Sequence, residues 1–313
     1  MRYWAIWTAH HPPASLPTMK RLAPLLALLA TPALADDPLT RPLHSSYTDS
    51  WMEPRPALPL FGGTWLSGSL HLNTAIIDTG AGLIVVDAGL PQSAPALEAQ
   101  IRQIGHRVKD VRYILVTEAH FDHAGGVAAL ARDSGATVIA SPYTIAALAK
   151  GRTGPEDQQA ADLQAFPAPT RLRAIHDGGK LTLGHTTVTA HFTPGHTIGS
   201  TSWTWNACEQ GKGCRAIAFL ASLSPVAQTG WRFSDPAHAA ITASYRASAQ
   251  KAAALPCDIL ITGHPPHALA DDKIAAAIRA PGSVNWVDKD ACRAAAGRFS
   301  AWLDRVLAEE AKP

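Results

Sequence analysis

Charge is scarce in this chain. Lys, Arg, Asp and Glu make up 17% of its 313 residues, and the formal net charge is +2 at pH 7. Arg2, Lys20 and Arg21 are the only such residues in 1–35, so without that segment the charge falls from +2 to −1. A near-neutral chain gives no electrostatic case for nucleic acid or an anionic membrane as partner. Long apolar runs are missing too: Leu22–Ala30 is too short for a comfortable membrane span. Cysteine is limited to Cys208, Cys214, Cys257 and Cys292. The hydrophobic fraction of 47% excludes a disordered chain, and the length suits one large domain or two small ones.

The N-terminus reads as an address. Met19-Lys20-Arg21, the apolar Leu22–Ala30 and then Ala33-Leu34-Ala35 before Asp36 are the basic start, apolar core and small-residue cleavage site of a secretory signal. Residues 1–18 fit no part of it, so translation is expected to start at Met19. The mature protein is then a single domain, 36–313, exported to the periplasm. An even number of cysteines in an oxidising compartment suggests two disulfides, with three pairings open to four cysteines. Cys208 and Cys214 flank what reads as a hairpin tip.

What the chain does have is a polar cluster where a strand gives way to a helix. Val111–Val116 is β-branched and apolar, and Ala124–Leu130 opens a helical pattern. Between them stands Thr117-Glu118-Ala119-His120-Phe121-Asp122-His123. Glu118 and His120 alternate with a period of two, so an extended backbone points both one way, while Asp122 and His123 on the turn face a second point. Two more histidines follow strand-like runs beside glycine, His196 in Thr193-Pro194-Gly195-His196-Thr197-Ile198-Gly199-Ser200 and His264 in Thr262-Gly263-His264-Pro265. Glycine would let the backbone turn sharply there. The ligands split into two triplets: Glu118, His120 and His196; then Asp122, His123 and His264. Nitrogen and oxygen ligands with an open position are the pattern of a catalytic zinc, and the lack of cysteine argues against a structural one.

The series E-x-H-x-D-H, P-G-H-T-x-G-S and T-G-H resembles the metallo-β-lactamase superfamily, and within it the subclass B3 enzymes, over most of residues 44–300. The family motif begins with His where this chain has Glu118, as in a variant branch of B3. The resemblance implies a four-layer αβ/βα sandwich, where pattern alone gives only α/β or α+β. It implies two Zn2+ ions on the two triplets and hydrolysis of the β-lactam amide of penicillins, cephalosporins and carbapenems by a metal-bound hydroxide, with Asp122 directing the nucleophile and antibiotic resistance as the outcome. Ser222 and Ser224 match the serines that such enzymes use near the substrate carboxylate. A bridge like Cys257–Cys292 occurs in the related enzymes, which favours 208–214 for the other pair. Asp87, ending the run Val85-Val86-Asp87, is expected to orient a ligand histidine without being a ligand itself. Glu118 in place of a neutral imidazole lowers the charge of the site by one, so weaker or more variable zinc binding is expected there.

Competing readings are another periplasmic hydrolase of the superfamily, acting on a lactone, thioester or cyclic amide, and a zinc-binding protein without catalysis. Glyoxalase II, lactonase and RNase Z relatives place an Asp in the stretch equivalent to Phe219–Ser224, and none is present here. Intact Asp122, His123, His196 and His264 argue against lost catalysis. Nothing in the sequence calls for an oligomer, so a monomer is expected.

Around these motifs the pattern predicts strands at 64–67, 72–78, 82–87, 112–117 and 136–141, then at 180–183, 186–192, 200–206, 215–221 and 258–262. Helices are predicted at 93–105, 125–133, 142–150, 235–255, 270–280 and about 288–310. Residues 36–60 read as a proline-rich arm. Residues 151–170 read as a surface loop over or beside the site, in which Gln158 or Gln159 could touch substrate. His71, His176, His185, His191 and His267 read as ordinary surface or hydrogen-bonded histidines.

Overall fold

A strand with both faces covered needs apolar residues at every position, and this chain supplies them at the centre of its first sheet. In β4 (Leu83–Val86) all four residues are buried, Leu83 and Val85 toward one core and Ile84 and Val86 toward another. The computed structural model describes residues 37–45 and 47–312. The expected signal at 19–35 and the extension before it lie outside the described residues.

Two sheets form the middle of the molecule. The first runs in chain order through β1 (Leu58–Phe61), β2 (Thr64–Gly68), β3 (Asn73–Asp78), β4, β5 (Val111–Leu115), β6 (Thr137–Ala140) and β7 (Leu172–Ala174). Its pairings are antiparallel as far as β4 and parallel beyond it. The second holds β8 (Lys180–Leu183), β9 (Thr186–Phe192), β10 (Thr201–Glu209), β11 (Gly213–Leu220) and β12 (Ile259–Thr262) in the order β12-β11-β10-β9-β8, with only β11 and β12 parallel.

Between the sheets pack Ile77, Ile84, Leu115, Trp203, Trp205 and Phe219. Trp203 and Trp205 share one face, as alternation requires. Trp203 is fully buried, and truncating such a side chain to alanine costs about 3–5 kcal/mol. On the outer face of the first sheet lie α1 (Ala94–Gln103), the single turn α2 (Phe121–Ala124), α3 (Val127–Ser134) and α4 (Pro142–Lys150). The outer face of the second sheet turns Ala218 and Leu220 toward α5 (Ala239–Ala253) and α7 (Ala291–Glu310). α6 (Asp271–Arg279) adds Ile274 and Ala277 to the core between the sheets. The layers are helix, sheet, sheet, helix: the expected sandwich.

Three local departures have physical causes. The proline-rich arm ends in a real strand, β1, because Pro59 sits on a sheet edge, where a missing N–H is tolerated. The helix expected from 125 begins at Val127, after the separate turn α2. A Cβ on Gly125 would lie 2.7 Å from the Pro91 nitrogen, and one on Gly126 would lie 2.4 Å from the Ala88 carbonyl, so both glycines are needed for close approach. The helix expected from 235 begins as a 3₁₀ turn, Pro236–His238, before α5. Both favoured disulfides are present: Cys208–Cys214 links paired positions of β10 and β11, and Cys257–Cys292 ties the approach to β12 to the first turn of α7.

Candidate metal centre

The two triplets meet where β4, β5, β11 and β12 end, beside the turn joining β9 to β10. After β5 the chain bends at 117 and 119 before His120, whose own backbone is extended, with φ −92° and ψ 148°, ahead of α2. Glu118 and His120 fall in one triplet, and α2 carries Asp122 and His123 of the other. The β9–β10 turn closes with Thr193 N–H donating to Ser200 O, and presents His196. Gly195 takes φ 148° there, and a Cβ on it would lie 2.9 Å from the Tyr245 ring. Gly263 serves differently: it has no positive φ, but a Cβ on it would lie 2.3 Å from His123 Cε1. The glycine before His264 makes room for an imidazole rather than a sharp turn.

Glu118, His120 and His196 each offer a ligand atom within 4.8 Å of the others, as do Asp122, His123 and His264. All are buried except His264, which is half-buried. Three of the four imidazoles are fixed from behind. His120 Nε2 lies 2.9 Å from Asp157 Oδ2, His123 Nδ1 lies 3.0 Å from Asp87 Oδ2, and His196 Nδ1 donates to Ser224 O at 2.8 Å. These bonds set which nitrogen faces the centre. The His264 ring packs instead between those of Trp51 and His267, with centroids 5.5 and 5.2 Å away. Asp87 does what its position predicts, from a left-handed backbone with φ 59°. It is held there by Thr117, whose N–H and Oγ1 donate to it at 2.8 and 2.6 Å.

Electrostatics within the centre are dominated by carboxylates. Burial pushes Glu118 up, but the imidazoles of His123, His196 and His120 outweigh it and hold the carboxyl down to about 2. Burial is likewise overcome at Asp122, which His123 and His264 keep well below the usual carboxylate range. Burial would lower His123, yet Asp122 and Glu118 drive it up to about 10. A proton there supplies positive charge that the site demands. Ser200 Oγ donates to Glu118 Oε2 at 2.9 Å, while the buried Oε1 makes no hydrogen bond of good geometry among the described residues and lies 3.1 Å from His123 Nε2. Converging nitrogen and oxygen donors and carboxylates crowded against imidazoles fit a divalent metal ion.

Both triplets open on a cavity of about 550 Å³, bordered by Trp51, Gln159, Ser224 and His267 among others. A wider cavity of about 700 Å³, bordered by Phe61, Arg215 and Trp286, lies elsewhere, and neither triplet touches it. Ser224 reaches the reaction cavity; Ser222 is 3% exposed, sits beside Glu118 and does not border the cavity. The loop 151–170 is not a plain surface loop. Gln158 is buried and donates through Nε2 to the carbonyls of Gly195 and His196, at 3.1 and 2.8 Å, and Gln159 lies 3.3 Å from His196 Nε2. Sequence reading missed Asp157, and it gave His267 and His71 bland roles although both border the cavity. The run Asp157-Gln158-Gln159 was the one available signal, and as a polar stretch in a loop it looks like any solvated segment.

Residues 69–208 match the metallo-beta-lactamase superfamily. Among curated proteins, a hydroxyacylglutathione hydrolase of Anaeromyxobacter dehalogenans (strain 2CP-C) is 31% identical over 132 residues, 42% of this chain and 41% of that protein. The chain thus spans about two fifths of that relative's length. Solved structures match far more completely. A B3 metallo-β-lactamase with an active-site glutamic acid is 44% identical with a TM-score of 0.81, covering 89% of this chain and 100% of its own. The Rm3 metallo-β-lactamase is 36% identical with a TM-score of 0.82, covering 86% and 100%. A likeness this complete extends through both triplets and both sheets, and the chain belongs to the metallo-β-lactamase superfamily, in its B3 subclass, with Glu118 where the motif has its first histidine.

Proposed function

We propose that the protein is a zinc-dependent β-lactamase, exported to the periplasm, that opens the β-lactam amide of penicillins, cephalosporins and carbapenems and so confers antibiotic resistance. The observation that carries this reading is the pairing of two buried ligand triplets on one open cavity. Glu118, His120 and His196 would hold one ion, and Asp122, His123 and His264 the other. When bound, two zinc ions supply Lewis acidity at the carbonyl oxygen and at the departing nitrogen, and a water acidic enough to attack near neutral pH.

The protein's own groups do the rest. Asp122 Oδ2, 3.2 Å from His264 Nε2 and 3.4 Å from His123 Nε2, is an ionised acceptor that orients the attacking water and can take its proton. Asp87, Asp157 and Ser224 O hold three imidazoles in fixed tautomers, so the ligand geometry is set before substrate arrives. Ser224 borders the cavity with its hydroxyl 3.2 Å from His196 Nδ1, and by turning toward the cavity that hydroxyl would donate to the substrate carboxylate; Ser222 lies a layer deeper, beside Glu118. No serine nucleophile is needed. The stretch Phe219–Ser224 carries no carboxylate, which sets the chain apart from thioesterase relatives with an Asp there.

Export is supported by the signal-like 19–35 and by two disulfides. No helix among the described residues is long and apolar enough to cross a membrane. The test is carbapenem hydrolysis followed by ultraviolet absorbance, with added zinc and with a chelator. Turnover that zinc raises and the chelator abolishes is the expected result; zinc-loaded protein inert toward all three classes would overturn the reading.

A further inference from the structure

Asp157 lies on the loop between α4 and β7, 37 residues beyond His120, yet its side chain is only 1% exposed. Three donors converge on its carboxylate. His120 Nε2 and Thr153 Oγ1 each approach Oδ2 at 2.9 Å, and the Gln159 N–H donates to Oδ1 at 2.9 Å. The next residue reaches His196: Gln158 Nε2 donates to the His196 backbone carbonyl at 2.8 Å. One short loop therefore holds two of the three members of the first triplet. The second triplet has no such arrangement. His123 is held by Asp87 at the end of β4, and His264 by ring packing.

We propose that Asp157 is the positioning residue of the first metal site: it fixes His120 as the Nε2–H tautomer, leaving Nδ1 as the only nitrogen able to ligate, and couples metal binding to the order of the 153–159 loop. A neutral imidazole has one donor and one acceptor, so fixing the first fixes the second. The coupling is reciprocal by linkage: a metal that needs His120 in this state stabilises the loop that holds it there. The inference rests on reading Glu118, His120 and His196 as a metal triplet.

A carboxylate is required because both oxygens face donors. Asparagine has the same shape but only one acceptor end. The Gln159 N–H is a fixed donor and claims the amide oxygen, which turns the NH₂ toward His120 and Thr153. The Thr153 hydroxyl can rotate and accept. His120 can accept only by moving its proton to Nδ1, which removes the ligand. Asp157→Asn thus inverts the tautomer preference and leaves volume and backbone bonding in place.

The experiment titrates zinc into metal-stripped protein against a chromophoric chelator, with limited proteolysis of the 153–159 loop in parallel. Wild type should bind two equivalents, with zinc slowing cleavage. Asp157→Asn should keep one equivalent at wild-type affinity and bind the other about 10- to 100-fold more weakly. Its loop, cut as readily as that of wild type when zinc is absent, should need correspondingly more zinc for protection. Thr153→Val, which loosens the loop but spares the His120 bond, should weaken the first site only slightly and leave the second unchanged. The inference is overturned if Asp157→Asn matches wild type, if it loses both equivalents alike, or if Thr153→Val weakens the first site as much. A wild type that binds a single equivalent would overturn the triplet reading as well.

Discussion

His123 Nδ1 lies 3.0 Å from Asp87 Oδ2, and the same carboxylate accepts two hydrogen bonds from Thr117. A buried acid in a left-handed backbone at the end of β4 thereby ties the start of the ligand segment to its last histidine. Asp87→Ala leaves the Thr117 N–H and the His123 nitrogen without their acceptor, and puts a Cβ with no compensating bond at positive φ. The expected result is a stability loss of about 2–4 kcal/mol and weaker zinc binding at the Asp122, His123 and His264 site by about 10- to 100-fold. Thermal unfolding of the metal-free protein and chelator competition measure the two effects separately.

Glu118→His removes one negative charge from the first triplet. Half-maximal turnover should then require less added zinc than in wild type, because imidazole suits zinc better than a carboxylate does, and the neutral ligand also leaves the bound ion more Lewis acidic. Substitution also gives up the 2.9 Å bond from Ser200 Oγ, which keeps its contacts with Thr197 N–H and Oγ1, so only a small part of the gain is offset. A zinc titration of activity that coincides with wild type would show that Glu118 does not set the metal requirement.

Gly263→Ala places a methyl group 2.3 Å from His123 Cε1 unless the ring moves. The ring is held from behind by Asp87, so the collision reaches the metal ligand directly. Loss of second-site zinc affinity with nearly native secondary structure is expected, read by zinc titration and circular dichroism. Gly297→Ala is the contrasting change. Its added Cβ meets nothing within 4 Å on α7, so it should stabilise the protein by about 0.5–1 kcal/mol.

Cys257 and Cys292 close a 35-residue separation between β12 and α7. Replacing both with alanine should cost about 3–4 kcal/mol by the chain-entropy account, while turnover well below the melting temperature stays near wild type because the bridge touches no ligand. Denaturant unfolding of the double variant against wild type is the check.

The fold was legible where local pattern and packing agree. The unbroken apolar run Leu83–Val86 reports burial on two faces, Trp203 and Trp205 two apart report one shared face, and the helix at 142–150 is marked by Pro142 at its start and Gly151 after its end. β1 was harder to read, since Pro59 hides an edge strand, and the break at Gly125-Gly126 depends on Pro91 and Ala88 approaching from another part of the chain.

The candidate ligand set was legible in the sequence. Glu118, His120, Asp122 and His123 are neighbours on one strand-to-helix junction, where a period of two followed by a turn sorts them into two pairs. His196 and His264 announce themselves by matching strand-end contexts. Tertiary structure alone decided what stands behind and around those ligands. Asp157 reaches His120 from 37 positions away, and Trp51 and His267 flank His264 from a proline-rich arm and a 3₁₀ turn. Such contacts depend on the path of loops and arms across the end of the sandwich. Local periodicity encodes which way a side chain leaves its own backbone and carries no record of which distant segment comes to meet it.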